Sequence, residues 1–225
     1  MDKTAPPAHV VWDWNGTLVA DTAATVAAAN AALAAIGRPG DVALARWRDL
    51  STRPIIKTYR QLAGGGLTDA EWETIKAVWA QAYEAEGDRI ALTPGALDAL
   101  RAVRERGAGQ SVVSLHLAEP LLAQMEKLGV RGFFQGVSAA PAESGSGGLG
   151  TKAELLARHL AELGLAPERT LVVGDMADDA AAAAAVHARA VLVTVGDTSR
   201  ARLEATGWPL ADSLVEAVGC LRECA

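Results

Sequence analysis

The stretch HVVWDWNGTL, residues 9–18, decides the fold of this chain. Its first four residues form a short, mostly apolar and β-branched run, which is typical of a buried strand in a parallel sheet. The run ends at Asp13, and the Asn-Gly-Thr sequence that follows predicts a turn. Since parallel sheets carry their chemistry at the carboxyl ends of their strands, Asp13 is the first candidate functional residue.

Strand and helix patterns alternate from Thr93 to the end of the chain. The turn Thr93-Pro94-Gly95 opens a predicted helix that ends near Arg106. Further strands are predicted at 111–113, 133–137, 170–173 and 190–195. Further helices are predicted at 119–128, 152–163, 180–185 and from Ser213 onward, with a Gly- and Ser-rich loop at 141–150. This alternation predicts an α/β fold in which helices cover both faces of a parallel sheet.

The residues that follow the first strand carry a helical pattern and no strand signal. Asp21 and Thr22 are suitable N-cap residues for the Ala-rich helix after them. Thr68 is predicted to cap a second, longer helix with apolar residues at helical spacing. The pattern predicts a small all-helical domain at 20–90, inserted into a core formed by 1–19 and 91–225.

The composition narrows the class of protein. The 225 residues include 21 Lys and Arg against 27 Asp and Glu, which gives a formal net charge of −6. A mildly acidic chain is unlike a general nucleic-acid binder, because phosphate backbones attract clustered Lys and Arg. No stretch reaches the ~20 uninterrupted apolar residues of a membrane span, and no signal peptide is visible, so we expect a cytoplasmic protein. A small phosphorylated metabolite, held by one or two local cations, is compatible with this charge.

Four sets of polar residues are predicted to meet at the carboxyl edge of the sheet. They are Asp13, Ser114 after the second strand, Lys152 at the start of a helix, and the acidic segment GDMADD at 174–179. A phosphoryl group in transfer needs a nucleophile, cations that neutralise its oxygens, and hydrogen-bond donors that orient it. Taken singly, each side chain has a plainer explanation, such as a helix cap or a solvated charge. Their order and placement together predict phosphoryl transfer.

The residue types indicate how these roles are divided. Asp13 is the predicted nucleophile, since its carboxylate can form an acyl phosphate. Mg²⁺ is a hard cation that prefers oxygen ligands. Its predicted ligands are Asp13, Asp175 and a backbone carbonyl, with Asn15 and Asp179 as further candidate metal residues. The Ser114 hydroxyl is a hydrogen-bond donor, and Lys152 supplies a positive point charge to the phosphoryl oxygens.

These motifs resemble those of the haloacid dehalogenase superfamily. WDWNGTL at 12–18 is similar to its first motif, Ser114 to its second, Lys152 to its third and GDMADD at 174–179 to its fourth. The helical insertion resembles the α-helical cap of the phosphoglycolate-phosphatase-like branch. The resemblance implies a Rossmann-like three-layer α/β/α core, a mobile cap and an aspartyl-phosphate intermediate. It also implies magnesium-dependent hydrolysis of a small phosphate monoester, by a monomer or homodimer.

Asn15 departs from the pattern of that family. Its phosphatases carry a second Asp at this position as general acid and base, and an amide cannot exchange a proton at neutral pH. General acid–base help is worth ~10²–10⁴ in rate. His116, two residues after Ser114, is the nearest candidate to supply the proton and to contact the substrate. The alternatives are a substrate with a good leaving group or a slow, vestigial catalyst.

Two other functions stay open on the sequence alone. One is a non-catalytic phosphate-binding or regulatory protein, which is compatible with the amide at Asn15. The other is a phosphonate-cleaving hydrolase, whose branch also lacks the second Asp and uses a cap lysine as a Schiff base. Lys57 and Lys76 lie in the insertion, and Arg53, Lys57 and Tyr59 are its candidates to face a substrate.

Overall fold

A parallel sheet of six strands, ordered β3-β2-β1-β4-β5-β6, organises the molecule. The computed structural model describes residues 8–140 and 151–219. The strands are β1 (His9–Trp12), β2 (Gly109–Leu117), β3 (Val137–Ala140), β4 (Thr170–Gly174), β5 (Arg189–Val193) and β6 (Leu210–Ala211). Every neighbouring pair runs parallel, with Val11 of β1 opposite Ser111 of β2 and Val172 of β4. The predicted parallel sheet is confirmed.

Of the helices in the described residues, the first four belong to the inserted segment and the other six cover both faces of the sheet. In chain order, the helices are α1 (Thr22–Ala35), α2 (Leu44–Leu50), α3 (Ile56–Leu62), α4 (Asp69–Ala85), α5 (Ala96–Glu105), α6 (Ala118–Lys127), α7 (Lys152–Leu163), α8 (Ala177–Ala185), α9 (Arg200–Glu204) and α10 (Leu214–Gly219). Trp12 packs in an apolar cluster with α5, α6 and α10, whereas Val11 packs in a second cluster with α7, α8 and α9. This alternation follows the two-residue period of a strand, so a central strand is apolar on both faces. The predicted three-layer α/β/α core is confirmed.

Helices α1 to α4 form a helical unit with its own apolar cluster. Its centre contains Val26, Leu33, Trp47, Tyr59 and Ile75. Thr68 caps α4 as predicted, because its Oγ1 accepts from the Glu71 amide (3.2 Å) and its amide donates to the Glu71 carboxylate (2.8 Å). The helical insertion is confirmed as the cap of this fold, while its limits at 20 and 90 stay predictions.

The cap leaves and rejoins the core through two adjacent segments. Val19 and Leu92 pair in an isolated antiparallel bridge. Beside them, the Ala20 amide donates to the Ala91 carbonyl (2.9 Å). The two connections to the cap therefore lie side by side, next to the turn that follows β1.

Two of the strand bounds predicted around β2 and β3 are wrong. Strand β2 continues to Leu117, so Ser114 and His116 lie within the strand and not after it. Strand β3 begins at Val137, because residues 131–133 form a short 3-10 helix where the sequence predicts the start of the strand.

The structure from α8 onward differs from the predicted elements in further respects. α8 begins at Ala177, three residues before its predicted start, and the Asp179 carboxylate accepts from the Met176 amide (3.0 Å) at this end. Sequence analysis missed α9 and β6, whose five and two residues carry too little periodicity to be recognised. The loop predicted at 141–150 lies outside the described residues. Within 8–140 and 151–219, no helix has the length and apolar character needed to cross a bilayer.

A chain of buried polar side chains crosses the sheet near the amino end of β1. His9 Nε2 and His159 Nε2 each lie 2.7 Å from Ser111 Oγ, and His159 Nδ1 lies 2.8 Å from Ser138 Oγ. Since Ser111 has one hydroxyl proton, at most one of the two imidazoles accepts from it, and at least one donates to its oxygen. Burial, together with the neighbouring His159, lowers the pKa of His9 to about 4. Burial also lowers the pKa of His159, so both rings are neutral at pH 7.

Acid is expected to destabilise the fold through His9. The unfolded chain takes up a proton near pH 6.5, whereas folded His9 stays neutral down to about pH 4. Its contribution to stability is therefore complete above pH 6.5 and is lost as the pH falls from 6.5 to 4. Between pH 7 and pH 4, the free energy of unfolding measured in urea should fall by about 3 kcal/mol more in wild type than in His9→Gln. His187→Asn, at an exposed imidazole, is the control; equal losses in wild type and His9→Gln would contradict the network.

Candidate active site

The turn after β1 positions Asp13 at the carboxyl edge of the sheet. The Asp13 amide donates to the Val173 carbonyl (2.8 Å), which extends the pairing of β1 and β4 by one residue. Gly16 has a φ of 71°, and a Cβ at this position would lie 2.5 Å from Asp175 Oδ2. Only glycine therefore lets this turn approach the Asp175 carboxylate.

Three buried carboxylates meet at this edge. Asp13, Asp175 and Asp179 each place an oxygen within 4.8 Å of those of the other two. The Thr17 hydroxyl and the Asp197 amide donate to the two oxygens of Asp175, at 2.9 and 2.6 Å. The structure thus brings together the three predicted acidic side chains, Asp13 after β1 and Asp175 and Asp179 after β4.

Lys152 is the cation within this cluster. Thr151 and Glu154 form a capping box that starts α7 at Lys152. Lys152 Nζ lies 2.6 Å from Asp13 Oδ1 and also contacts Asp179 Oδ1. Burial acts to lower the pKa of the ammonium, but the charges of Asp13 and Asp179 outweigh it and raise the pKa above its usual range. Lys152 therefore carries its charge at neutral pH.

The charges of the cluster fit a further cation. Burial, followed by the charges of Asp197 and Asp13, raises the pKa of Asp175 well above its usual range. Burial also raises the pKa of Asp179 to about 7, although Lys152 opposes the shift. A divalent cation among these oxygens would reverse both shifts. Because the donor atoms are all hard oxygens, the residues fit Mg²⁺.

The Asn15 amide is held by two side chains that sequence analysis did not assign to the site. Its Nδ2 donates to Asp21 Oδ2 (2.7 Å) and to the Tyr83 hydroxyl (3.0 Å). The Tyr83 hydroxyl donates to the same oxygen of Asp21 (2.7 Å), and the Gly16 amide donates to Oδ1 (2.7 Å). Asp21 stands at the N-cap position of α1, but its side chain makes no capping bond. Burial and the charge of Asp197 raise the pKa of Asp21 to about 6.

Ser114 and His116 lie on the β2 side of the site. The buried Ser114 Oγ accepts from the His116 amide (3.1 Å), which leaves the hydroxyl proton for another acceptor. The His116 ring packs edge-on against the Tyr83 ring, with centroids 5.9 Å apart and planes at 78°. Burial lowers the pKa of His116 to about 4, so its ring is neutral at pH 7.

Asp21, Tyr83 and Asp197 are the residues near the site that sequence analysis missed. Asp197 follows β5 at the carboxyl edge of the sheet, so the strand-end rule that revealed Asp13 could have found it. Tyr83 lies on α4 of the cap, and no local pattern indicates that its hydroxyl reaches Asn15.

Residues 7–187 match the sequence model of a hydrolase family, the haloacid dehalogenase-like hydrolases. The chain belongs to this family. The predicted superfamily and α/β fold are thus confirmed, and so is the predicted enzyme class, a phosphohydrolase of the haloacid dehalogenase type.

The proteins similar to this chain are named for more than one activity. Phosphoglycolate phosphatase 1 of Pseudomonas aeruginosa is 29% identical over 205 residues, which cover 86% of this chain and 71% of that protein. Tyrosine-protein kinase PtkA of Mycobacterium tuberculosis is 31% identical over 195 residues, which cover 84% of this chain and 63% of that protein. The solved structure of PtkA has a TM-score of 0.79 at 26% identity and covers 96% of this chain and 98% of its own. A predicted phosphatase from Clostridium acetobutylicum has a TM-score of 0.84 at 15% identity, with coverage of 97% and 100%, and shows the shared fold.

Removal of the Lys152 charge is expected to destabilise the protein. Lys152→Met leaves Asp13 and Asp179 buried without their cation, and breaking a buried ion pair costs about 3–5 kcal/mol. Lys127→Met is the control, because the pair of Lys127 with Asp88 (2.7 Å) is exposed and such pairs contribute little. Urea unfolding at pH 7 in EDTA measures both variants. If Lys152→Met lowered the free energy of unfolding no more than Lys127→Met does, the pairing of Lys152 with Asp13 and Asp179 would be contradicted.

Proposed function

We propose that this chain is a magnesium-dependent phosphatase that hydrolyses a small phosphate monoester through an aspartyl phosphate on Asp13. The observation that carries the proposal is the 2.6 Å contact of Asp13 Oδ1 with Lys152 Nζ inside a cluster of three buried carboxylates. A carboxylate at a strand end, with a cation beside it, is arranged to attack phosphorus and to hold the phosphoryl oxygens near the same charge.

The reaction consists of two displacements at phosphorus. In the first, a carboxylate oxygen of Asp13 bonds to phosphorus as the bond to the substrate oxygen breaks. In the second, water bonds to phosphorus and releases a proton to the solvent, from which the departed substrate oxygen takes one up, and the bond to Asp13 breaks, which restores the carboxylate. We assign Lys152 and Ser114 to the phosphoryl oxygens in both steps, through an ammonium charge and a donated hydroxyl hydrogen bond.

Asp13, Asp175, Asp179 and the backbone carbonyl of Asn15 are the proposed ligands of Mg²⁺. When bound, the ion supplies charge neutralisation to the phosphoryl oxygens. The chain's own contribution is orientation, since the Thr17 hydroxyl and the Asp197 amide fix both oxygens of Asp175. Such outer contacts tune a metal site as much as its direct ligands do.

Asp13→Asn is expected to abolish turnover while the protein stays folded. The amide cannot form the acyl phosphate, so kcat for p-nitrophenyl phosphate with Mg²⁺ should fall by at least ~10³-fold. Acid-quenched wild type should show a phosphate adduct on the peptide that contains Asp13 by mass spectrometry. Asp98→Asn, at an exposed carboxylate of α5, is the control for loss of one charge. Turnover retained by Asp13→Asn would overturn the covalent mechanism.

The leaving group departs without a proton from Asn15. The amide does not titrate, and His116, which is neutral at pH 7, holds no excess proton to donate. We therefore expect the rate to depend steeply on the pKa of the leaving group, with aryl phosphates hydrolysed faster than alkyl phosphates.

A swap that conserves charge tests this view of Asn15. Asn15→Asp alone would place two buried carboxylates in contact, since Asn15 Nδ2 and Asp21 Oδ2 are 2.7 Å apart. The double variant Asn15→Asp/Asp21→Asn keeps one carboxylate and one amide across the same contact. It should raise kcat/KM for an alkyl phosphate by about 10-fold or more, and for an aryl phosphate much less. Asp21→Asn alone is the control, and a lower alkyl phosphatase rate in the swap would show that another group supplies the proton.

The relatives favour a phosphatase over the two alternatives. A Schiff-base lysine needs a desolvated environment, but Lys57 is exposed and Lys76 pairs with Glu73 at 2.7 Å on the surface of α4. A lysine adduct trapped by borohydride with a phosphonate substrate would favour phosphonate cleavage. Metal-dependent phosphate binding without turnover on any substrate would favour the non-catalytic protein.

The substrate class rests on the relatives and on the cap. Two of the relatives, from Pseudomonas aeruginosa and Pseudomonas putida, are phosphoglycolate phosphatases, so phosphoglycolate heads the panel of small phosphorylated metabolites to screen. Burial raises the pKa of Asp197, and the Arg53 guanidinium opposes this shift, so a cap charge acts at the carboxyl edge. A second anionic group on the substrate would complement Arg53. The monomer or homodimer state and the cytoplasmic location stay predictions.

A further inference from the structure

The segment VGDTS at 195–199, here called the seam loop, lies against the carboxylate of Asp175. The Asp197 amide donates to Asp175 Oδ2 at 2.6 Å. A Cβ on Gly196 would lie 2.1 Å from the same oxygen and 2.3 Å from the Gly16 carbonyl oxygen. Because the loop both donates to Asp175 and packs against it without spare room, movement of the loop must reorient this carboxylate.

The seam loop also contacts the cap. Arg48 on α2 donates from Nε to the Gly196 carbonyl (2.8 Å) and from Nη2 to the Val195 carbonyl (3.3 Å). The Ser199 amide donates in return to the Arg48 carbonyl (3.0 Å). A planar guanidinium can hold two neighbouring carbonyls at once, so Arg48 fixes both the position and the direction of the loop.

A second arginine makes the contact reciprocal. Arg202 on α9 of the core donates from Nη1 to the carbonyls of Arg48 and Ser51, which end α2 of the cap. Each arginine therefore binds backbone carbonyls of the opposite unit. These bonds satisfy groups at the end of a helix that would otherwise lack partners.

Other groups at the seam oppose its closure. Ser51 Oγ of the cap and Thr198 Oγ1 and Ser199 Oγ of the core are buried without hydrogen-bond partners in the described part of the chain. Buried, unpaired hydroxyls are costly, and opening the seam would return them to water. The contact between cap and core at the seam therefore relies on the hydrogen bonds of the two arginines.

We propose that Arg48 is a positioning residue that couples closure of the cap to Mg²⁺ binding through the seam loop and Asp175. This inference rests on the magnesium site of the proposed function. When the cap is closed, Arg48 holds Val195 and Gly196, and the Asp197 amide holds Asp175 in the orientation that faces Asp13 and Asp179. Coupling between two equilibria is reciprocal, so Mg²⁺ must favour the closed cap by the same factor by which closure favours Mg²⁺.

The test compares Arg48→Ala with Arg46→Ala, a matched control at an exposed arginine on the same helix. Calorimetric titration of the full chain with Mg²⁺, without substrate, should give wild-type affinity in Arg46→Ala. The affinity of Arg48→Ala should fall by about 5–150-fold, the usual range of such couplings. Arg48→Lys should lie between them, since an ammonium cannot bind both carbonyls in one plane.

Hydrogen exchange of α2 provides the reciprocal measurement. Mg²⁺ should slow exchange of α2 amides in wild type and in Arg46→Ala, and should have no effect on them in Arg48→Ala. Saturating Mg²⁺ should restore most of kcat in Arg48→Ala, because the ligands and Asp13 are intact; a purely structural defect would leave kcat low. If Arg48→Ala does not fold, the same measurements are made on Arg48→Lys and Arg202→Ala. Both variants are expected to bind Mg²⁺ more weakly than wild type does.

The outcomes separate this inference from the proposed function. The coupling would be overturned, and the metal site left intact, if Arg48→Ala bound Mg²⁺ as tightly as wild type does. The same would follow if Mg²⁺ still protected the α2 amides from exchange in that variant. Wild type that binds no Mg²⁺ would overturn the metal site and the coupling together.

Discussion

Crowding of negative charge at the carboxyl edge of the sheet is the constraint on which the rest of the structure depends. Asp13, Asp175 and Asp179 lie within 4.8 Å of one another in a buried site, where repulsion is poorly screened. Three elements compensate these charges: α7 brings Lys152 to Asp13 and Asp179, while the turn after β1 and the loop after β5 bring the Thr17 hydroxyl and the Asp197 amide to Asp175. Parallel strands make this possible because their ends converge on one edge.

Two contacts of the cap at this edge involve different parts of the site. Tyr83 of α4 binds the Asn15 and Asp21 pair beside Asp13. Arg48 of α2 binds the loop that orients Asp175. One helical unit therefore contacts both the side chain next to Asp13 and the loop that binds Asp175. A cap with contacts of this kind can act on both parts of the site at once.

Sequence analysis predicted the parts of the site that follow from strand order. Asp13 and the acidic residues at 175 and 179 follow buried strands, and Lys152 begins a helix with a recognisable capping box, so their meeting could be inferred. Interactions between distant segments could not. Asp21 has the residue type and position of a helix cap, and only the tertiary contacts with Asn15 and Tyr83 show that its carboxylate has another use. The alternating pattern of 109–117 likewise does not reveal that β2 continues past Ser114.

The paired connection of the cap, Val19 beside Leu92, also bears on how such chains diversify. An insertion whose two ends are already adjacent demands nothing of the core beyond closing a loop, and doubling the length of a flexible loop costs only about 0.6 kcal/mol. Evolution can therefore lengthen, shorten or replace the segment between these two residues without rerouting the sheet. New substrate preferences become accessible by exchange of the insertion, while the three buried carboxylates keep their places in an unchanged core.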